Sequence, residues 1–509
     1  MKALKNYMEQ QAVYGTADTV NSENFPAWRQ SEKSALVQLA MTGTLGNSFY
    51  ASREELANDA LSVLNKADAE DLAQAIVKGR NEGFIRAFPI LGLVMLSKKD
   101  TSLFKQVFNQ VILTGNDLVD FIDLTHKTRG FGRAIKGAIH DYLEQRVTPY
   151  YAMKYRKQLA DAIRLSRFKG DDPIYNYILS VYPETKGYSE EKLAAAYEKY
   201  TDLAKRKRFI ELLEKGQKTE AVAMLKDSQI DVDSLTAYYD LFDRGLWQAL
   251  AERTPVMRFL KYLAKFQREG VELYELAKRK ITVYNLQKAK VFPFRLVPAI
   301  LAVPGDRAEE FHDVRNILLG ILDEYTDNYD WRDFNRYSWV IAPDVSGSMH
   351  SCIGNSSLLT FAHLAAMFTA FFRRGLDQVV TLPWNEKVQS FNVPKSDSVQ
   401  TQMNAMFNMV GGCTCMEASV EHMIEKKIMT DYAVFITDTE EYGRGWLASW
   451  IKYKRLNPRA KAFLLRGDTY LSSPISEDDA VKYGIIQIFG WNDSVIDYMR
   501  YCITEKNDE

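Results

Sequence analysis

The C-terminal third of the chain alternates short apolar runs with helical runs, and this pattern restricts its fold more than any other feature. The apolar, β-rich runs are residues 338–342 (SWVIA), 378–382 (QVVTL), 432–437 (YAVFIT), 461–465 and 485–489. Helical patterns cover residues 357–374, 416–427, 445–455 and 494–503. Strands that alternate with helices indicate a parallel sheet covered on both faces. We therefore predict an α/β domain at residues 330–509.

The preceding part of the chain has a different pattern. From about Ser31 to Glu324, amphipathic helical runs follow one another with short breaks, such as Gly115-Asn116 and residues 170–173. Strand-like alternation is almost absent, and no clean fixed-period repeat is present. Many helices joined by short loops favour a solenoid of helix pairs. Since 509 residues exceed the size of one ordinary core, we predict an all-α module at residues 1–329 and a separate domain at residues 330–509.

Composition and hydropathy limit the kind of ligand and the cellular compartment that the chain is expected to have. Its net charge of −1 excludes a wholly basic nucleic-acid binder, so any such site must be local. Four cysteines in so long a chain do not indicate a disulfide framework. The most apolar stretch, residues 84–95, contains Arg86 and Pro89 and is too short to span a bilayer. Because the N-terminus also lacks a signal-peptide pattern, we expect a cytoplasmic protein without a membrane segment.

A cluster of oxygen-bearing side chains is expected at the carboxyl ends of the predicted strands. Asp344, Ser346 and Ser348 follow the first strand, and we expect both hydroxyls to point the same way in an extended loop. Thr414 follows a glycine pair, and Asp438 ends the strand at residues 432–437. Hard oxygen ligands with few charges suit Mg²⁺. The alternative is that D-V-S-G-S is only a serine-rich turn.

These residues resemble the metal-ion-dependent adhesion site of von Willebrand factor A domains, which have a Rossmann-like parallel sheet. The likeness rests on D-x-S-x-S, a later Thr after glycines and a later T-D at a strand end, in that order. It implies a metal with a coordination position open to an acidic group of a protein partner. One departure is that the family reads G-G-T, whereas Cys413 here precedes Thr414.

Basic residues are concentrated in two segments of the helical module. They are Lys127, Arg129, Arg133 and Lys136, then Lys154, Arg156, Lys157, Arg164 and Arg167. Arg and Lys neutralise phosphates, and the interspersed Tyr150, Tyr151, Tyr155 and Phe168 are of the type that stacks on unpaired bases. The alternative is that the cations form a solvated helix face and the aromatic rings belong to the core.

Five stretches of the chain resemble the TROVE module of Ro autoantigen proteins and their bacterial relatives, in the same order. They are residues 42–52 (TGTLGNSFYAS), 129–143 (RGFGRAIKGAIHDYL), 154–167 (KYRKQLADAIRLSR), 246–266 (LWQALAERTPVMRFLKYLAKF) and 289–300 (AKVFPFRLVPAI). The resemblance implies HEAT-like repeats bent into a ring that the von Willebrand factor A domain closes. It also implies that a single protein chain forms this ring.

The resemblance also implies partners and contact residues. In Ro proteins, single-stranded 3′ ends of misfolded RNAs pass through the ring and structured Y RNAs bind its outer surface; bacterial relatives can tether the exoribonuclease polynucleotide phosphorylase. Lys154 matches an RNA-contacting lysine of the family, and Arg133 and Lys136 fall in its basic helix. A W-[ST]-H segment of the family is absent here, and Arg167 stands where its last His would be.

Three functions compete on these observations. The first is a non-catalytic RNA-binding ring that acts in RNA quality control, and the alternative is a metal-dependent protein-interaction scaffold without RNA. The third is a metal-dependent hydrolase that uses Asp344, Asp438 and Glu440. We disfavour the third because nucleases commonly pair two metals on carboxylates, whereas this site is rich in hydroxyls. We therefore expect a protein that is not an enzyme.

Overall fold

The protein is described here by a computed structural model. It describes residues 17–20, 26–41, 53–82, 85–226, 230, 232–289, 291, 293–302, 309–352, 359–438, 445–467, 472–489 and 494–504. The stretch at residues 42–52 and the predicted residue Glu440 lie outside these ranges. In the described part of the chain, no helix combines the length and the apolar character needed to cross a membrane.

The N-terminal module is helical, as predicted. Its helices are α1 (Glu32–Met41), α2 (Arg53–Lys66), α3 (Ala69–Asn81), α4 (Ala87–Lys99), α5 (Thr101–Val111), α6 (Gly115–Thr128), α7 (Arg133–Arg146), α8 (Pro149–Lys154), α9 (Arg156–Ser166), α10 (Ile174–Leu179), α11 (Glu190–Lys199), α12 (Thr201–Glu214), α13 (Lys218–Lys226), α14 (Arg244–Arg253), α15 (Val256–Arg268), α16 (Tyr274–Lys280), α17 (Val283–Lys288), α18 (Pro293–Ala302) and α19 (Glu309–Asp327). Two short strands precede them, β1 (Thr19–Val20) and β2 (Pro26–Arg29).

Local side chains determine where many of these helices begin. The side chain of Asp68 accepts hydrogen bonds from the backbone N–H groups of Glu70 and Asp71 at the start of α3. Thr114 and Asp117 form a reciprocal capping box at the start of α6. Helices α11 and α12 are separated by one residue, because the chain is extended at Tyr200, whose hydroxyl donates to the Asp172 carboxylate.

Long basic side chains join helices of the module that are two apart along the chain. The Lys99 ammonium donates to the carbonyls of Asn65, in the last turn of α2, and of Ala67, just after it, at 2.7 and 2.8 Å. The Lys280 ammonium makes the same kind of contact with the carbonyls of Glu252 and Thr254, at 2.8 and 2.7 Å. These carbonyls have no partner within their own helix, so the cations satisfy them. Part of the basic content of the module therefore serves the stacking of its helices.

The C-terminal domain contains a parallel five-stranded sheet in the order β4-β3-β5-β6-β8. Its strands are β3 (Trp339–Pro343), β4 (Val379–Thr381), β5 (Tyr432–Thr437), β6 (Lys461–Arg466) and β8 (Ile485–Phe489), and a short strand β7 (Ser472–Ser473) lies outside this sheet. Its helices are α20 (Phe361–Gly375), α21 (Val399–Phe407), α22 (Glu417–Glu425), α23 (Trp446–Leu456), α24 (Glu477–Lys482) and α25 (Ser494–Thr504). The predicted α/β fold with a parallel sheet is confirmed.

The two faces of the sheet belong to two different cores. On β5, Val434 and Ile436 face one core, whereas Ala433 and Phe435 face the other. This alternation explains why the central strands are apolar throughout. The first of these cores also includes apolar side chains of the helical module from Phe209 onward. Residues 35–203 form a third core, to which Phe489 of β8 also contributes.

Both ends of the helical module contact the C-terminal domain. At its beginning, β2 pairs with β7 through Trp28 and Arg29, and the Ser31 N–H donates to the Glu477 carboxylate at 2.6 Å. At its end, the Arg374 guanidinium of α20 donates twice to the Asp327 carboxylate of α19, at 2.7 Å each. The chain therefore closes on itself, with the C-terminal domain joining the two ends of the helical module.

Candidate metal centre and basic helical surface

Two carboxylates lie at the carboxyl ends of the neighbouring strands β3 and β5. Asp344 follows β3, and its N–H donates to the Ile436 carbonyl of β5 at 2.8 Å. Asp438 follows β5, and both carboxylates are buried, with 1% and 0% of their residue surface exposed. Thr437 donates its hydroxyl to Asp344 Oδ2 at 2.8 Å, and the Ser346 N–H donates to Asp344 Oδ1 at 2.7 Å. These bonds fix the orientation of the Asp344 carboxylate.

The two serines lie beside Asp344, with one difference from the predicted loop. Ser346 has extended backbone angles, but a 3₁₀ turn (Gly347–His350) begins directly after it. Ser348 therefore lies in a turn, and the prediction of an extended loop was wrong for this residue. The hydroxyl oxygens of Ser346 and Ser348 are nevertheless 3.1 Å apart, so both lie on the same side of the loop.

Backbone hydrogen bonds hold the loop that carries Thr414 against the loop after β3. The Gly411 N–H donates to the Val345 carbonyl at 2.8 Å, and the Gly347 N–H donates to the Gly412 carbonyl at 3.0 Å. Gly412 has a φ of 82°, and a Cβ there would lie 3.1 Å from Asn385 Nδ2. Glycine is thus needed for this close approach. Half-buried Thr414 follows two residues later on the same loop.

The electrostatics of this group fit a cation. Burial raises the pKa of Asp344, and the neighbouring charge of Asp438 raises that pKa further. A cation between the two carboxylates would offset both effects. Among the described residues, no group of three or more His, Cys, Asp or Glu side chains could hold a metal. The donor set is therefore two carboxylates and hydroxyls, which suits a hard ion such as Mg²⁺.

Sequence reasoning missed two residues at the rim of this centre. Asn385 donates its side-chain amide to the Gly411 carbonyl at 2.8 Å, and the Cys413 N–H donates to Glu386 Oε1 at 3.3 Å. Both residues follow the carboxyl end of β4, next to β3, and this position was the available signal. His350, which follows the metal loop, packs its ring against Phe407 with centroids 5.2 Å apart.

The predicted basic residues of the helical module separate into two groups. In the first group, Arg129 donates to the Ser97 carbonyl and hydroxyl, and Arg156 donates to the Tyr177 carbonyl at 2.9 Å. The Lys154 ammonium lies 5.2 Å from the Tyr155 ring centroid, and the Arg164 guanidinium lies 4.2 Å from that of Tyr182. These four cations make contacts within the fold.

The second group is exposed or half-exposed on α6, α7 and α9 and at the end of α9. We call it the basic helical surface, and it consists of Lys127, Arg133, Lys136, Lys157 and Arg167. Within the described part of the chain, these five side chains form no ion pair and no side-chain hydrogen bond. Helices α7 and α9 are in contact, and His140 Nε2 lies 3.1 Å from the Ser166 carbonyl. The fold therefore leaves five cations of adjacent helices available to solvent.

Two of the aromatic residues between these cations belong to the core. Tyr155 and Phe168 are buried, and Tyr151 donates its hydroxyl to the Leu113 carbonyl at 3.0 Å. Both rings pack against protein, so the alternative interpretation as core residues holds for Tyr155 and Phe168, although Phe168 also lines a cavity at the end of α9. The basic helical surface thus has charge but no exposed ring at Tyr155.

Known proteins show where this architecture occurs. Residues 338–499, from the start of the sheet into α25, match the family model of the Ro60 vWA domain. The fold of the chain as a whole is similar to the crystal structure of the Deinococcus radiodurans RO (RSR) protein, with a TM-score of 0.65. The C-terminal domain is thus a vWA domain of the Ro60 type. The structural match covers 94% of this chain and 100% of the Deinococcus chain at 15% identity, so it establishes that the two proteins share a fold. No curated protein matches the chain.

Proposed function

We propose that this chain is a non-catalytic RNA-binding protein that acts in RNA quality control. It binds structured, Y-like non-coding RNA and the single-stranded 3′ ends of misfolded RNAs. The observation that carries the proposal is the basic helical surface, whose cations the fold does not use. A phosphate backbone is the ligand that such a surface of fixed, solvated cations attracts. The likeness to Ro proteins supports RNA as the molecule that supplies this phosphate backbone.

The proposed binding is mainly electrostatic. Each phosphate that a cation neutralises releases condensed counterions, so the affinity falls as salt rises, by about 0.7 logarithmic units per contact for single strands. Arg133 and Lys136 lie one helical turn apart at the start of α7 and can follow the same strand. Lys157 and Arg167 extend the surface along α9. Arg129 and Arg156 do not contact the RNA in this proposal; they support the surface indirectly, by stabilising the fold through their hydrogen bonds to Ser97 and Tyr177.

We propose a magnesium ion in the metal centre, held by Asp344, Ser346, Ser348, Thr414 and Asp438. The ion would offer an open coordination position to an acidic group of a protein partner. Thr437 and the Ser346 N–H orient the Asp344 carboxylate toward the site. Two carboxylates with hydroxyls suit one hard ion, whereas hydrolytic sites commonly pair two metals. The protein is thus proposed to recruit partners and not to cleave RNA.

The setting and partners follow from the same account. We propose that the protein works in the cytoplasm as a single-chain ring, and that an exoribonuclease such as polynucleotide phosphorylase is tethered to it through bound RNA. The alternative is a metal-dependent protein-interaction scaffold without RNA. The buried pair of Asp344 and Asp438 favours that alternative, because it gives the C-terminal domain a binding site that needs no RNA.

A binding titration at several salt concentrations separates these functions. The probe is a small structured RNA with a single-stranded 3′ tail, and the variant is Arg133→Glu with Lys136→Glu. A control with the same charge change, Lys105→Glu with Lys215→Glu, removes exposed lysines of α5 and of the end of α12. We expect the control to bind like wild type, and the Arg133/Lys136 variant to bind at least about tenfold more weakly with a flatter salt dependence.

Equal binding by both variants would show that the basic helical surface is only a solvated face. The scaffold would then be the leading function. Loss of binding in both variants would mean that only net charge matters, which also contradicts a located RNA site.

A further inference from the structure

A cavity of about 660 Å³ lies at the end of α9, beside α10 and the turn before α11. We call it the α9–α11 pocket. Its volume falls in the range of sites that hold small organic ligands. Only Arg164 and Arg167 of its lining belong to the basic residues that the sequence singled out, so most of the pocket has no assigned role.

The floor of the pocket is apolar and closely packed. It is formed by Ile163, Phe168, Tyr175 and Leu179, which are all buried. The rings of Phe168 and Tyr175 pack at right angles, with centroids 4.9 Å apart. Gly170 lies directly on the Tyr175 ring, since a Cβ at this residue would be 2.2 Å from Tyr175 Cε2. A floor of this kind accommodates a planar or apolar group, while its polar rim determines the ligand.

The rim of the pocket is cationic. It contains Arg164, Arg167, Lys169, Lys186 and Lys192. The acidic side chains of the lining are Asp171 and Glu184, and Arg164 already lies 4.0 Å from Glu184. The nearby Asp172 is used elsewhere, because Lys199 binds it at 2.7 Å. In the described part of the chain, Arg167, Lys169, Lys186 and Lys192 are exposed and have no recorded ion pair.

Four cations and the single carboxylate of Asp171 leave a net positive charge around one concave site, and an anion in the site relieves the repulsion among the cations. Cationic side chains elsewhere in the module cap carbonyls, as Lys99 and Lys280 do. Within the residues that the structure describes, no carbonyl accepts a hydrogen bond from the side chains of the four exposed rim cations. A ligand with two negative charges on one end and a flat, less polar body on the other would match both the rim and the floor.

We propose that the α9–α11 pocket binds a nucleoside phosphate whose phosphomonoester contacts the cationic rim and whose base lies over the floor. The nucleoside phosphate can be the end of an RNA chain, and in that case the proposal deepens the RNA-binding function and rests on it. A free mononucleotide has the same chemistry and is the second possible source of the ligand. Either ligand would be recognised by its terminal phosphate, which carries about two negative charges. A phosphate inside an RNA chain carries only one negative charge and would be bound less tightly.

The test uses the full chain and four probes. The first probe is AMP. The other three are the same tailed RNA with hydroxyl groups at both ends, with a 5′ phosphate, or with a 3′ phosphate. Binding is measured by calorimetry or anisotropy. The pocket variant is Lys186→Glu with Lys192→Glu, and Lys186→Arg with Lys192→Arg keeps the charge. Lys105→Glu with Lys215→Glu is the matched control. Melting curves check that every variant is folded.

We expect a terminal phosphate, or AMP, to bind at least about tenfold more tightly to wild type than to the Lys186/Lys192 glutamate variant, because one charge-assisted contact changes affinity by about that factor. The arginine variant and the control should bind like wild type. Binding of AMP assigns the pocket to free nucleotides, and a preference limited to phosphorylated RNA assigns it to RNA ends.

The proposal is overturned if AMP does not bind and terminal phosphates add nothing, or if their effect persists in the glutamate variant. The RNA with hydroxyl ends reports on the RNA-binding function by itself. If this RNA fails to bind while AMP binds, RNA binding is refuted and the pocket stands. If it binds and no terminal phosphate matters, the pocket is refuted and RNA binding stands.

Discussion

Replacing Asp117 by Asn should strongly destabilise the helices that lead to the basic helical surface. The Asp117 side chain is fully buried and accepts from Arg80 at 2.8 Å and from Arg86 at 2.6 Å. It also accepts from the Thr114 N–H at 2.9 Å, at the start of α6. The amide would remove the charge and leave two guanidinium groups facing a neutral partner. Breaking a buried ion pair of this kind costs about 3–5 kcal/mol.

The assay is thermal unfolding followed by circular dichroism, with Asp120→Asn as the control. Asp120 lies on the same helix and binds the same Arg86, but its side chain is 50% exposed. Exposed pairs contribute at most about 1 kcal/mol. We expect Asp117→Asn to lower Tm by at least about 6 °C, at roughly 2 °C per kcal/mol, and Asp120→Asn to lower it by about 2 °C or less. Equal shifts for the two variants would refute the reasoning.

The pH dependence of the same pair gives a second readout. Burial by itself raises the pKa of Asp117, but hydrogen bonding by Arg86 and the charge of Arg80 outweigh it, so the pKa lies below its ordinary value. A lowered pKa stabilises the fold above the unfolded-state value of about 4, and this stabilisation is lost as pH falls through the folded-state pKa. The difference in Tm between wild type and Asp117→Asn should therefore shrink below about pH 4. A difference that grows there would contradict the assigned charge.

Two further predictions concern the metal centre. Adding Mg²⁺ should raise the Tm of wild type in a concentration-dependent way, as a dye-based melting assay would measure. Asp344→Ala should abolish this shift in Tm. An unchanged shift in this variant would place the ion elsewhere. Gly412→Ala should cost about 1 kcal/mol or more, because its φ of 82° and the nearby Asn385 amide disfavour a Cβ. It should also weaken the Mg²⁺ response, and a variant as stable and as responsive as wild type would show that the close contact between the two loops is unimportant.

Sequence patterns predicted the sheet well because its central strands are buried on both faces and its edge strand β8 is still mostly apolar. The bounds of β5 (Tyr432–Thr437) and β8 (Ile485–Phe489) agree with the apolar runs at residues 432–437 and 485–489. Helix α21 (Val399–Phe407) was missed, and its segment is polar, with Gln400, Thr401 and Gln402 in sequence. The two-residue strand β7 was missed as well, because its partner β2 lies more than 400 residues earlier in the chain. A pairing of that kind leaves no local signal.

The candidate sites were predictable only in part. The order of Asp344, the serines and Asp438 along the chain placed them at strand ends, and the structure brings the loops after β3 and β5 together. By contrast, the spacing of Arg129 and Arg156 gave no sign that their partners are Ser97 and Tyr177, which lie in other helices. Whether a cation serves the fold or solvent depends on such tertiary contacts, so charge clusters in a sequence overestimate a binding surface.

The most direct test of the account is to locate bound RNA on the protein. A tailed RNA carrying photoreactive uridines in its single-stranded 3′ end would be crosslinked to the full chain, and the modified peptides identified by mass spectrometry. The account predicts that crosslinks concentrate in residues 127–167, around Arg133, Lys136 and Lys157, and that Arg133→Glu with Lys136→Glu removes most of them. Crosslinks that spread evenly over the chain, or that persist unchanged in this variant, would contradict the assignment of RNA binding to the basic helical surface.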